Sequence, residues 1–104
     1  DRLVTRRIGT ALHAWDFGKK TVQRIAVVSG GAADEIVEAA EKGVDVYLSG
    51  EQNLAAYNLA REYGINAIFA GHYATERFGV MAVGERLARR FGIATEFIDM
   101  GITV

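Results

Sequence analysis

His72 and Glu76 are the two residues of this chain best suited by type and spacing to do chemistry together. Four positions apart at the start of a helix, their side chains lie one above the other and converge on a common point. An imidazole beside a carboxylate suits a divalent metal. Two ligands do not complete such a site, because structural zinc takes four protein ligands and catalytic zinc normally three plus water. The sequence has no cysteine, so the remaining ligands have to be His, Asp, Glu or water.

Glu51 is the best further carboxylate, either as a ligand or as a group that orients bound water. Glu51 and Glu76 are therefore the candidate catalytic residues, and His72 and Glu76 the candidate metal ligands; Asp34 and Asp45 are weaker candidates. The plainer reading is that His72 and Glu76 only cap and solvate a helix start, and spacing alone favours it. His13 has no carboxylate or second histidine at ligand spacing, which marks it as a surface or interface residue.

The elements that would position these residues follow from the apolar pattern. Ile25–Val28, Val46–Leu48, Ala67–Ala70 and Thr95–Ile98 are short runs rich in β-branched or aromatic residues, and read as strands. Between them lie helical patterns: Ala33, Ile36, Val37 and Ala40; Leu59, Ala60 and Tyr63; Val80, Val83, Leu87 and Phe91. Each predicts one face packed on a sheet. Gly43, Gly64 and Gly92 stand where a left-handed residue would close each helix. The sum is a β-α-β-α-β-α-β order: an α/β fold with a mainly parallel sheet of about four strands flanked by helices. Thr95–Ile98, with Glu96 inside it, reads as an edge strand.

Ahead of this lies a segment, 1–23, read as an amphipathic helix over Val4–Trp15 followed by a linker at Asp16–Lys20; residues 24–104 form the α/β part that carries the candidate site. Trp15 and Phe17 are expected to cover the core. Val28, Leu48 and Ala70 each run into a glycine-containing loop, at Ser29-Gly30-Gly31, Ser49-Gly50-Glu51 and Gly71-His72-Tyr73. These loops should share the carboxyl rim of the sheet, where ligands bind in parallel α/β folds. Ser29-Gly30-Gly31 reads as a tight turn; the alternative is an anion cradled by its backbone amides, but it lacks the lysine and Ser/Thr of a nucleoside-triphosphate loop and the dinucleotide spacing.

Bulk properties agree with one packed domain. There are 104 residues, half of them apolar, with 12 Lys and Arg against 13 Asp and Glu and a net charge of −1. That balance gives no field to concentrate nucleic acid or an anionic membrane, so neither is an expected partner. No apolar run approaches the roughly 20 residues of a membrane span, and no signal-peptide pattern is present, which points to the cytoplasm. The chain opens Asp1-Arg2-Leu3 without an initiator methionine, as an excised domain, a processed product or the ordered part of something longer would.

Three segments, Ile25-Ala26-Val27-Val28-Ser29-Gly30-Gly31, Val44-Asp45-Val46-Tyr47-Leu48-Ser49-Gly50-Glu51 and Ala70-Gly71-His72-Tyr73-Ala74-Thr75-Glu76, together resemble the C-terminal part of the NIF-three-like family, whose members are often described as type 2 GTP cyclohydrolase homologues. The resemblance runs from about Arg24 onward, and the Gly-His-Tyr-Ala-Thr-Glu segment is its most specific part. It implies a two-metal centre, of zinc, iron, manganese or magnesium, in a ring-shaped homohexamer, with His72 and Glu76 as ligands and Glu51 close by. Ser49 departs mildly from the family's threonine. The family's other ligands, a His-His pair and an Asp, belong to an N-terminal half that nothing here matches. The resemblance thus implies a metal-dependent hydrolase acting on a small nucleotide-like substrate, with this chain alone inactive, or a non-catalytic metal-binding scaffold working through its ring.

Overall fold

The computed structural model describes residues 13–104. Strand β1 is His13–Trp15, β2 Ile25–Val28, β3 Val46–Ser49 and β4 Asn66–Phe69. A 3-10 turn, Ala33–Glu35, leads into helix α1, Ile36–Glu41; α2 is Leu54–Tyr63 and α3 is His72–Phe91. The four strands make one sheet in the order β1-β4-β3-β2. β2 pairs parallel with β3, and β3 parallel with β4, while β1 runs antiparallel to β4. The sheet is therefore mainly parallel, as the alternation of strand and helix predicted.

Two expectations about the strands are corrected. The helix read over Val4–Trp15 lies outside the described residues up to position 12, and its last three residues form β1 instead. Here tertiary packing overrides the local pattern. The Trp15 ring sits 4.8 Å from that of Phe69 and 5.1 Å, edge-on, from that of Tyr57, while Phe17 lies 5.4 Å from Tyr57. This aromatic cluster fixes the segment against the sheet. Thr95–Ile98 is not a strand: residues 92–104 have no regular secondary structure, and β1, not this segment, is the fourth strand.

The core lies between the sheet and the α1–α2 pair. Ile36, Ala39, Tyr47, Ala56, Ala60, Ala67 and Phe69 are buried together. Side chains alternate across a strand, and β2 shows it: Ala26 and Val28 pack against the core while Ile25 and Val27 are exposed. Helix α2 is set by its ends. Asn53 at the N-cap accepts a hydrogen bond from the Ala56 amide at 2.7 Å, and Gly64 closes it at φ 66°.

The third helix departs from expectation. Val80, Val83, Leu87 and Phe91 were predicted to pack on the sheet, yet none of the 20 residues of α3 is buried. Val80 is 64 % and Phe91 61 % exposed. Helices α1 and α2 already cover the core side of the sheet, and α3 runs off its end, giving a body of 51 × 25 × 23 Å.

Candidate functional site

The three glycine-containing loops meet at the carboxyl rim. The Gly30 carbonyl accepts from the Gly50 amide at 3.1 Å and the Glu51 amide at 2.9 Å, and the Gly50 carbonyl accepts from the Gly71 amide at 2.8 Å. The parallel ladder is thus continued past the strand ends by loop backbone, and the side chains of Glu51 and His72 emerge side by side from adjacent loops. Close approach requires glycine at two of these positions. A Cβ on Gly50 would lie 2.6 Å from the Gly30 carbonyl oxygen. One on Gly30, whose φ is +74°, would lie 2.5 Å from a Glu76 oxygen and 3.2 Å from His72 Nε2. The Gly30 backbone therefore forms the floor beneath the His72–Glu76 pair.

Helix α3 starts at His72 itself, with Gly71 as its cap at φ 106° and the Thr75 hydroxyl donating to the Gly71 carbonyl at 2.8 Å. One turn separates His72 from Glu76. His72 Nε2 lies 2.9 Å from Glu76 Oε2, and on the other side of the ring Nδ1 lies 2.5 Å from Glu51 Oε1. One imidazole is held between two carboxylates. The hydrogen bond to Glu51 chiefly, and then the negative charges of Glu76 and Glu51, push the His72 pKa above its ordinary value, against partial desolvation. The arrangement favours positive charge on or beside the ring and is chemically suited to a cation at Nε2 and Glu76.

His72, Glu76 and Glu51 are therefore brought together, as expected. They are not arranged as three ligands around one point, because Glu51 meets the ring nitrogen that faces away from Glu76. Among the described residues no group of three His, Cys, Asp or Glu side chains is placed to hold a metal ion. Asp45 is elsewhere: its carboxylate accepts from the Gln23 and Arg24 amides at 2.9 and 3.0 Å, just before β3 begins, at the opposite end of the sheet from the rim. Asp34 Oδ1 accepts from the Asn53 side-chain Nδ2 at 3.5 Å. The turn after Gly31 carries Asp34 and Glu35 in its first turn, which opposes anion binding at Ser29-Gly30-Gly31.

Two neighbours of the site gave no signal in the sequence. Because β1 is antiparallel, His13 pairs with Phe69 at the carboxyl end of β4 and so reaches the rim. It lines a cavity of about 280 Å³ with Gly50, Glu51, Gln52, Thr103 and Val104. On the other flank, a cavity of about 450 Å³ is lined by His72, Glu76, Arg77, Val80, Phe97 and Ile102, among others. The chain end is tied in beside it. The Val104 carbonyl accepts from the Tyr73 amide at 3.0 Å, and the Tyr73 hydroxyl donates to Asp99 at 2.8 Å. A direction reversal in a three-residue strand, and a contact across 26 residues, leave no local pattern to read.

Comparison with known proteins agrees with this architecture. A model of the Duf34/NIF3 (NGG1p interacting factor 3) family matches residues 3–102, and the chain belongs to that family. It is 40% identical over 100 residues to a GTP cyclohydrolase 1 type 2 homolog of Yersinia pestis, covering 96% of this chain and 40% of that protein. With the homolog of Pseudomonas aeruginosa the identity is 50% over 78 residues, covering 75% of this chain and 31% of that one. Among solved structures, the ybgI protein, of unknown function, superposes with a TM-score of 0.93 at 35% identity, covering 99% of this chain and 42% of its own. The chain thus spans about two-fifths, or less, of the length of these relatives. Among the described residues, no helix is long and apolar enough to cross a membrane.

Proposed function

We propose that this member of the Duf34/NIF3 family contributes His72 and Glu76 as two ligands of a divalent-metal centre, with Glu51 as the residue that positions His72, and that the completed centre is hydrolytic. The observation that carries this reading is the His72 ring itself, with Nε2 turned to Glu76 and Nδ1 to Glu51. A ligating histidine characteristically donates its second ring N–H to a carboxylate, which fixes the tautomer and raises the basicity of the ligating nitrogen. Glu51 fills that role here. This reading takes Glu51 as a ring-positioning group, on the strength of the nitrogen it meets, where the sequence offered a ligand or a water-orienting group.

A divalent ion, or two in a complete centre, would supply Lewis acidity and lower the pKa of water at the site. The residues of this chain do the rest. Gly30 keeps the floor low enough for His72 and Glu76 to converge, Glu51 holds the ring, and Glu76 can exchange between ligand and proton acceptor. Such a centre would draw its remaining ligands from outside the described residues; the chain spans two-fifths of its Yersinia relative. Donors of mixed His and carboxylate type accept zinc, iron, manganese or magnesium. The relatives' name suggests a small nucleotide as substrate, and a homohexameric ring fits the family resemblance.

The test is GTP turnover, followed by chromatography of the nucleotide, by the native polypeptide that carries this sequence. It would be assayed with each of the four metals, after chelation, and as the His72→Ala variant. Metal-dependent turnover lost in the variant supports the hydrolase. Bound metal without turnover favours a scaffold role, in which the ions and the ring stabilise an assembly. Turnover indifferent to both chelation and His72 would overturn the assignment.

A further inference from the structure

We infer that the cavity between the first turns of α3 and residues 97–104 is the substrate pocket serving His72 and Glu76, built for a small flat ring that carries one anionic group, with Arg77 as the residue that selects the anion. The inference rests on the metal-site reading for its chemistry. The cavity measures about 450 Å³, within the range of ~300–1,000 Å³ usual for small-molecule sites. Val80 from the helix and Phe97, Ile102 and Val104 from the segment after it supply apolar walls. A flat ring uses such walls best, through buried area and through stacking on Phe97.

Arg77 gives the cavity its fixed positive charge. Its Nε is buried, and its guanidinium carbon lies 5.4 Å from the centre of the Phe78 ring, which steadies the head group. A guanidinium partly withdrawn from water attracts an anion more strongly, and its planar fork matches a carboxylate or a phosphate. One arginine suits one such group rather than a polyphosphate chain. His72 and Glu76 line the same cavity. A molecule seated on Arg77 and Phe97 therefore lies against the proposed metal ligands.

The far wall is in place before a ligand arrives. The Tyr73 amide donates to the Val104 carbonyl at 3.0 Å, and the Tyr73 hydroxyl donates to Asp99 at 2.8 Å and accepts from the Met100 amide at 2.9 Å. The Gly101 amide donates to the same Asp99 oxygen at 2.9 Å. Residues 97–104 lack regular secondary structure, so this clasp on Tyr73 is what holds Phe97, Ile102 and Val104 as a wall. A wall fixed in advance lowers the ordering cost of binding.

The test is isothermal titration of the native polypeptide carrying this sequence with GMP and with benzoate, a ring bearing a phosphate and a ring bearing a carboxylate. Guanosine and inorganic phosphate serve as ring alone and anion alone, and the zinc content of every sample is measured. The tighter of the first two names the anion, and it should bind about tenfold or more above guanosine and phosphate, the effect of a charge-assisted contact. Arg77→Gln and Phe97→Ala should each weaken it by a similar factor, with circular dichroism and zinc content unchanged. Guanosine or phosphate binding equally well, or variants binding like wild type, would overturn the inference. Zinc retained with no binding of either ring compound would overturn it and leave the metal reading standing. Binding through Arg77 and Phe97 by a zinc-free protein would sustain the pocket and overturn the metal reading instead.

Discussion

Glu51 Oε1 and His72 Nδ1 meet at 2.5 Å across 21 residues of sequence, and this contact decides which nitrogen of His72 faces Glu76. The Glu51→Gln variant keeps the side-chain shape but loses the charge that favours Nδ1–H. Metal affinity should fall by about 10- to 100-fold, the usual effect of removing such a partner, with circular dichroism unchanged. Isothermal titration with zinc would show it. An affinity equal to wild type would remove Glu51 from the account.

Gly30 offers a sharper test, because its neighbour is a built-in control. Alanine at 30 meets Glu76 and His72 and adopts a positive φ, whereas a Cβ at Gly31 has nothing within 4 Å and no positive φ. Gly30→Ala should cost about 1–2 kcal/mol from the left-handed backbone alone and also lower metal affinity. Gly31→Ala should change neither by much. Urea denaturation and metal titration of the pair check both.

Asn66 secures the segment after β1 to the sheet. Its side-chain oxygen accepts from the Gly18 amide at 2.8 Å, and its nitrogen donates to the Lys19 carbonyl at 2.7 Å. Replacing it with alanine strands both backbone groups, at about 1–3 kcal/mol for each one that water cannot reach. The expected loss is about 2 kcal/mol in equilibrium denaturation.

Asp45 predicts a pH effect. Hydrogen bonds from the Gln23 and then the Arg24 amide hold its carboxyl below the ordinary aspartate range. A folded-state pKa below the unfolded one means that the stabilisation is complete above the unfolded value, about 3.9. It is lost as the pH falls through the lower folded value. Asp45→Asn should be less stable than wild type at neutral pH, and the two should converge in acid. Thermal melts from pH 7 down to pH 2 would show parallel curves if the contact contributes nothing.

The sequence made β2, β3, β4 and the three helices legible because each has a dense local signal. β-branched runs end in glycine loops, and left-handed glycines at 43, 64 and 92 stop the helices. The rim followed from parallel topology, and with it the meeting of Glu51, His72 and Glu76. What could not be read was set by contacts distant in sequence. His13–Trp15 has an apolar spacing compatible with a helix, and becomes a strand because Trp15 packs on Phe69 and Tyr57. The α3 stripe was read correctly as apolar, but periodicity reports that a face is to be covered, not by what. Thr95–Ile98 failed for the same reason: a short β-prone run becomes a strand only where another strand is there to pair with it.

The central claim is that His72 and Glu76 hold metal. The most direct measurement is elemental mass spectrometry of the native polypeptide carrying this sequence, beside its His72→Ala, Glu76→Ala double variant, after dialysis at fixed pH. Stoichiometric metal in the first and its loss in the second is the predicted result. Equal and negligible metal in both would contradict the claim.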